Sequence, residues 1–249
     1  MKSPACYFAV ALLALAPTVR ASVTETFKQT YPLAADGTVH LDNVNGDIAI
    51  TAWDKAEVAL EAEKKGRTAE DLARVTLEIE SSPARLSIKT KYAKKGGWFS
   101  GNVNASVRYT LFVPAGVRLH KIDSVNSDIT VAGVRGAVDL DTVNGRISAT
   151  GLAGDARLNS VNGSLNAEFA SLAHVTSVKL DSVNGRASVT LPKGASARLD
   201  ADSVNGRISI DQPVKLGKVR RHTLAGEIGH GGPDISLETV NGSISIKEQ

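Results

Sequence analysis

A tripeptide that returns throughout the chain constrains its folding more than any other feature. Val-Asn-Gly stands at 44–46, 143–145, 161–163, 183–185, 204–206 and 240–242, with variants at Val125-Asn126-Ser127 and Leu224-Ala225-Gly226. From Asn126 onward the central residues are spaced by 18, 18, 22, 21, 20 and 16. Self-similarity at such a period marks a repeat architecture, in which each unit buries its apolar face only against its neighbours. Units this short hold two strands and a corner and leave no room for a helix.

Aligned on the Asn, the units form columns of alternating chemistry, the period of two that belongs to strands. Leu41, Ile122, Leu140, Leu158 and Leu180 stand four before it. Ile48, Ile129, Ile147, Leu165, Ile208, Ile228 and Ile244 stand three after, and Ile50, Val131, Val189, Ile210 and Ile246 five after. These columns point inward. Asp42, Asp123, Asp141, Asp181, Asp202 and Glu238 at three before, and Arg146, Arg186 and Arg207 at two after, point outward. Two before the Asn runs a column of Ser124, Thr142, Ser160, Ser182, Ser203, Thr223 and Thr239.

Two all-β architectures satisfy this pattern. Asn-Gly between alternating apolar runs is a strong hairpin signal and allows an antiparallel meander or sandwich. The same units can instead stack as the two-strand rungs of a β-solenoid. Repetition of one residue type column by column favours the solenoid, which places equivalent positions about 4.8 Å apart. Its corners are then Asn45-Gly46, Asn126, Asn144-Gly145, Asn162-Gly163, Asn184-Gly185, Asn205-Gly206 and Asn241-Gly242. Asn144, Asn162, Asn184 and Asn205 are placed to form an amide ladder.

Between Asn45 and Asn126 the repeat is silent. Residues 56–63, 74–80, 85–92 and 105–113 read as longer strands suited to antiparallel pairing, and Pro83 and Pro114 mark turns. Thr68-Ala69-Glu70-Asp71 before Leu72 resembles a capping box that opens one short helix. The expected organisation is a leader over 1–21, an antiparallel cap over 22–118 and solenoid repeats over 119–249, with 22–249 forming one continuous domain. Such a cap protects a sheet edge that would otherwise invite aggregation.

Tyr109-Thr110-Leu111-Phe112-Val113-Pro114-Ala115-Gly116, the repeated Val-Asn-Gly-Arg-Ile-Ser units that follow, and a second turn at Leu191-Pro192-Lys193-Gly194 carry a family likeness. Over about residues 36–249 the chain resembles the bacterial DUF4097 family, β-strand-repeat proteins often labelled as candidate adhesins. The resemblance implies an all-β, solenoid-like domain in an envelope or surface setting, and it brings no catalytic residues to transfer. The chain departs from the pattern at Ser127, where Gly is usual, and at Ala225, where Asn is usual.

The first 21 residues read as a secretory signal: Lys2, an apolar run from Ala5 to Ala16, a proline, and small residues before a cut after Ala21. The run rises only about 18 Å as a helix, short of a bilayer core of about 30 Å. Cys6 is the only cysteine, so residues 22–249 have no thiol for catalysis, disulfides or zinc. No later stretch is long and apolar enough for a transmembrane span. The expected location is the periplasm, the cell surface or the medium. Beyond the leader 27 basic residues face 26 acidic ones, so bulk attraction to nucleic acid is not expected.

Asp123, Asp141, Asp181 and Asp202 are weak calcium candidates, because a hard cation needs several carboxylate oxygens. A solvated face balanced by Lys121, Arg157 and Lys179 is the simpler reading, so no metal or cofactor is expected. The five histidines lack metal-binding spacing, and no nucleophile elbow, phosphate loop or dinucleotide fingerprint is present. Trp98 and Phe99 lie side by side in the basic, glycine-rich stretch 94–101 of a chain with only 4% aromatics, and are candidates for partner binding. The alternative is that they fold back over the core. A regular ladder gives its carboxylates near-identical environments, whereas acid–base catalysis needs pKa values that separate. The function expected is therefore that of a non-catalytic, exported, adhesin-like binding or scaffold module of the bacterial envelope. Its partner would be an envelope protein or a surface glycan. The alternatives are a periplasmic structural or envelope-stress protein without external ligand and, behind it, a small polysaccharide-active solenoid enzyme.

Overall fold

The structure, a computed structural model, describes residues 22–93, 104–220 and 222–249. The chain opens with β1 (Val23–Pro32), β2 (Thr38–Asp42), β3 (Ile48–Trp53), β4 (Glu57–Gly66) and the helix α1 (Ala69–Ala73). Next come β5 (Val75–Ser82), β6 (Arg85–Tyr92), β7 (Ala105–Pro114), β8 (Arg118–Asn126) and β9 (Ile129–Ala132). The repeats supply β10 (Val138–Asn144), β11 (Ile147–Leu152), β12 (Ala156–Asn162), β13 (Leu165–Phe169), β14 (Ser177–Asn184) and β15 (Ala187–Leu191). The last are β16 (Ala197–Asn205), β17 (Ile208–Ile210), β18 (Lys215–Val219), β19 (Thr223–Ile228), β20 (Asp234–Asn241) and β21 (Ile244–Glu248).

The two strands that flank each Asn-Gly lie in different sheets. The first sheet runs β1-β4-β7-β3-β9-β11-β13-β15-β21-β17 and the second β18-β19-β16-β20-β14-β12-β10-β8-β2-β6-β5. Each corner is thus an arch from one sheet to the other, and equivalent strands pair in parallel. Leu140 lies opposite Leu158 and Leu158 opposite Leu180, while Ile147 lies opposite Leu165. This register excludes the antiparallel meander: the fold is a β-solenoid of two-strand rungs. The inward columns meet between the sheets, where Leu41, Ile122, Leu140, Leu158, Leu180 and Leu237 are all fully buried.

Glycine is required at the corners by crowding. Gly46 alone among the corner glycines has a left-handed backbone, with φ of 107°. At the others a Cβ would strike the corner of the neighbouring rung. It would lie 1.7 Å from the Gly145 carbonyl oxygen if added to Gly163, and 1.9 Å from that of Gly163 if added to Gly185. Ser127 is tolerated where it stacks on Gly46, and its hydroxyl donates to the Gly46 carbonyl at 2.7 Å.

Stacking order departs from chain order at both ends. The rungs succeed one another as β6/β7, β2/β3, β8/β9, β10/β11, β12/β13, β14/β15, β20/β21 and β16/β17. The rung made last, β20/β21, therefore slots between two made earlier. In the segment where the repeat is silent, β6 and β7 pair antiparallel with β5 and β4 on one side, as their length suggests, and parallel with β2 and β3 on the other. Leu224-Ala225-Gly226 is not a corner. It lies inside β19, antiparallel to β16, with Ala225 opposite Asp200 and Gly226 opposite Leu199, so Thr223 and Ile228 leave the repeat columns as well. The hairpin β18–β19 needs an edge of β16 free of parallel partners, and that requirement places β16 at the end of the parallel rungs of the second sheet. At the opposite end β1 and β4 extend the first sheet and β5 the second, all antiparallel. Helix α1 follows β4. Its cap is the expected one: the Asp71 amide donates to the Thr68 hydroxyl at 3.1 Å, and Leu72 is buried.

Candidate binding surface

Two internal ladders fix the spacing of everything the solenoid shows to solvent. Along the corners each Asn side-chain amide donates to the Asn carbonyl of the next rung. The order is Asn205, Asn241, Asn184, Asn162, Asn144, Asn126 and Asn45, with distances of 2.8 to 3.0 Å. The expected ladder is present and longer than foreseen. Beneath it the Ser/Thr column is buried, and its hydroxyls donate to carbonyls of the adjacent corner: Thr142 to Ser127, Ser160 to Gly145, Ser182 to Gly163, Thr239 to Gly185 and Ser203 to Gly242. In the β2/β3 rung Asn43 takes this place and donates to the carbonyls of Gly46 and Val107. Buried hydroxyls with partners stabilise where orphans would cost.

The outer side of the second sheet carries the acidic column, in the order Asp42, Asp123, Asp141, Asn159, Asp181, Glu238, Asp202. Of the four calcium candidates, Asp123 and Asp141 are therefore neighbours. Asp181 is separated from Asp141 by Asn159, whose amide donates to Asp141 at 2.5 Å, and from Asp202 by Glu238. Among the described residues no group of three or more His, Asp or Glu is arranged to hold a metal ion.

Beside this column runs a feature that the sequence reading passed over. Val125, Val143, Val161, Val183, Val240 and Val204 all stand exposed, five of them at 39–41% and Val204 at 57%. They occupy the position just before the Asn, which shares the outward parity of the Asp column, so the signal was available in the tripeptide itself. Valines, carboxylates and the edges of the Ser/Thr column line an open trough of about 660 Å³ along the stack. Exposed apolar stripes of this continuity are uncommon on a soluble surface and mark sites of contact.

Two carboxylates of this face, Asp123 and Asp139, are shifted in the same direction. Desolvation pushes the Asp123 pKa up, helped by Asp141, Asp42 and Asp139 and opposed by His40. Asp139 is raised in the same way by desolvation and Asp141, against Arg157, His120 and Lys121. A carboxyl whose folded pKa exceeds its unfolded value favours folding only while protonated, so its contribution falls as pH rises through the interval above the ordinary Asp value. Asp123→Asn is accordingly expected to raise Tm slightly at pH 7, with the gain vanishing towards about pH 4. Thermal denaturation across that range checks it; a gain independent of pH would mean that ionisation of Asp123 is not the cause.

The outer face of the first sheet differs. Its row nearest the corners reads Arg146, Ser164, Arg186, Ser243, Arg207, an order fixed by the backbone bonds between adjacent strands. Next to it Ser148, Asn166, Ser188, Ser245 and Ser209 stand in register. Nearer the cap lies an aromatic pair that sequence reasoning also missed. Trp53 and Phe112 have ring centroids 5.6 Å apart, Lys55 sits 4.7 Å above the Trp53 ring, and Phe112 is 41% exposed. Its signal was the outward parity of Trp53 in β3. Trp98 and Phe99 fall outside the described residues, as do residues 1–21 with Cys6. Among the described residues no helix is long and apolar enough to cross a membrane.

Comparison with known proteins agrees with this architecture. A candidate cell adhesion protein from Clostridium sporogenes superposes with a TM-score of 0.54 at 14% identity, over 90% of this chain and 100% of the other. A candidate adhesin from Bacteroides fragilis gives 0.44 at 13% identity, over 90% and 97%. A candidate lipid-binding protein from Parabacteroides distasonis gives 0.36 at 12%, over 90% and 96%. At such identity the first of these speaks for the fold alone. No functionally curated protein matches the chain. The family model described as Toastrack DUF4097 matches residues 34–247, nearly the whole described stack from β2 to β21. With the parallel rungs, the corner ladder and the capped ends in place, the chain belongs to the Toastrack DUF4097 family.

Proposed function

We propose that residues 22–249 act as a non-catalytic, adhesin-like display scaffold of the bacterial envelope, exported by the leader over 1–21. The observation that carries this reading is the open valine-lined trough beside the acidic column, which repeats the same contacts from rung to rung. A surface of this kind gains affinity by engaging several equivalent positions at once. The description of the Clostridium sporogenes relative as a candidate cell adhesion protein agrees with an adhesin-like role.

Protease treatment of intact cells, with fractionation of periplasm and medium, tests the proposal. Digestion on intact cells, or recovery in the medium, is the expected result. Protection together with recovery in the periplasm would overturn the adhesin reading and favour an internal envelope protein without external ligand.

A further inference from the structure

We propose that the Arg–Ser strip on the outer face of the first sheet binds an acidic polysaccharide, a glycan chain with one carboxylate for each disaccharide. This rests on the binding role proposed above and names the ligand class for a face distinct from the valine trough. The strip exists because of the stacking order. Backbone bonds place Ser164 between Arg146 and Arg186, and Ser243 between Arg186 and Arg207. Chain order alone would have set Arg186 directly beside Arg207. Insertion of β20/β21 separates them, so that successive arginines stand two strand spacings apart, about 9.6 Å. That is about the length of a disaccharide in an extended glycan.

The side chains are free to receive such a ligand. Among the described residues no carboxylate forms an ion pair with Arg146, Arg186 or Arg207. Arg186 Nε donates to Ser243 Oγ at 3.1 Å, which holds its guanidinium along the strip. Asp128, which continues the row beyond Arg146, uses its carboxylate to accept the Arg146 backbone amide at 2.7 Å. The row of serines beside the arginines offers hydroxyls along an open trough of about 680 Å³ that also includes Lys247. Guanidinium groups bind carboxylates by paired, charge-assisted hydrogen bonds, and hydroxyls and amides suit sugar hydroxyls. A nucleic-acid strand carries its charges far more densely, at about 3.4 Å per phosphate in a duplex, and favours aromatic stacking where single-stranded. A bilayer surface would call for exposed apolar or aromatic anchors, and Leu165, the one apolar residue among the described residues lining this trough, is buried.

The test uses residues 22–249 and three probes: hyaluronate, which carries one carboxylate for each disaccharide, its fully methyl-esterified form, and phosphatidylglycerol vesicles. Hyaluronate is expected to bind, with affinity falling as salt rises, and the neutral ester and the vesicles are not. Replacing Arg146, Arg186 and Arg207 together with Ser is expected to weaken binding about tenfold or more. The variant is expected to fold, because Ser164 and Ser243 already occupy this row. Equal binding of the acid and its ester, undiminished binding by the triple variant, or preferential binding to the vesicles would each overturn the proposal. Surface exposure on intact cells with loss of this strip's role would leave the display reading standing, whereas confinement to the periplasm would remove that reading without deciding the ligand of the strip.

Discussion

Replacing Gly163 with alanine is expected to destabilise the protein by about 3 kcal/mol or more, near the upper end of what overpacking costs. The added methyl would lie 1.7 Å from the Gly145 carbonyl oxygen and 3.0 Å from Ser160 Oγ. Neither neighbour can yield easily. The Gly145 carbonyl accepts the Ser160 hydroxyl, and the Asn ladder pins the corner on both sides. To relieve the clash, two rungs must separate locally and give up hydrogen bonds in both sheets. For a chain of this size the loss corresponds to a fall in Tm of roughly 6–12 °C. Gly217→Ala is the control, since a Cβ there meets nothing closer than 3.5 Å, and it is expected to be near neutral. Denaturant unfolding of the two variants checks the contrast; equal and small effects would mean that the rungs do not approach this closely at their corners.

Ending the chain after Gly231 is expected to release more than the residues removed. In a solenoid built in chain order the last rung peels away and leaves the rest intact. Here β20 and β21 lie inside the stack, with β20 between β14 and β16 and β21 between β15 and β17. Their loss removes Ile235, Leu237, Ile244 and Ile246, all at most 1% exposed, from the interior of the core. It also strips β16 of its parallel partner from Arg198 to Asn205. Limited proteolysis of the shortened chain is expected to cut throughout 192–231 and to spare the rungs before it. The milder Leu237→Ala is expected to cost about 2–5 kcal/mol and to loosen the same segment first. Continued protection of 197–228 in the shortened chain would contradict the insertion.

What the sequence made legible, and what it hid, follows from the repeat itself. Strand parity, the buried columns and the Thr68 cap could be read because each depends on residues close in the chain, and the amide ladder because the same Asn recurs at each corner. The order of the rungs could not. The Asn-Gly units share the corner Asn and, with exceptions such as Asn43, Ala187 and Ala201, the same inward Leu and Ile and buried hydroxyl, so the columns do not order the rungs. What decides the order is the hairpin β18–β19, whose pairing with the free edge of β16 forces β16/β17 to the end. The spacing of Leu224-Ala225-Gly226 imitated a corner, but antiparallel pairing with Asp200 and Leu199 claims those residues for a strand. The β6/β7 rung is not legible from the repeat because no Asn-Gly stands in the sequence between its two strands. At the candidate surface the Asp column is visible in the sequence, yet its valine partner is not, since alternation marks apolar residues as buried and these valines are apolar on the outward parity.

The placement of β20 is the claim on which the Arg–Ser spacing, the acidic column and the truncation result all depend, and a pair of cysteines can read it directly. Because Cys6 is the only cysteine of the chain, residues 22–249 supply a background free of thiols. Lys179 of β14 lies opposite Ser236 of β20, and Asp200 of β16 lies opposite the same Ser236 on its other side. A disulfide needs Cα atoms within about 7 Å, which adjacent strands satisfy and strands two apart do not. The doubly substituted chain Lys179→Cys/Ser236→Cys is expected to form the disulfide on mild oxidation, and Lys179→Cys/Asp200→Cys is not. Ready oxidation of the second pair with none in the first would place β16 directly against β14 and contradict the account.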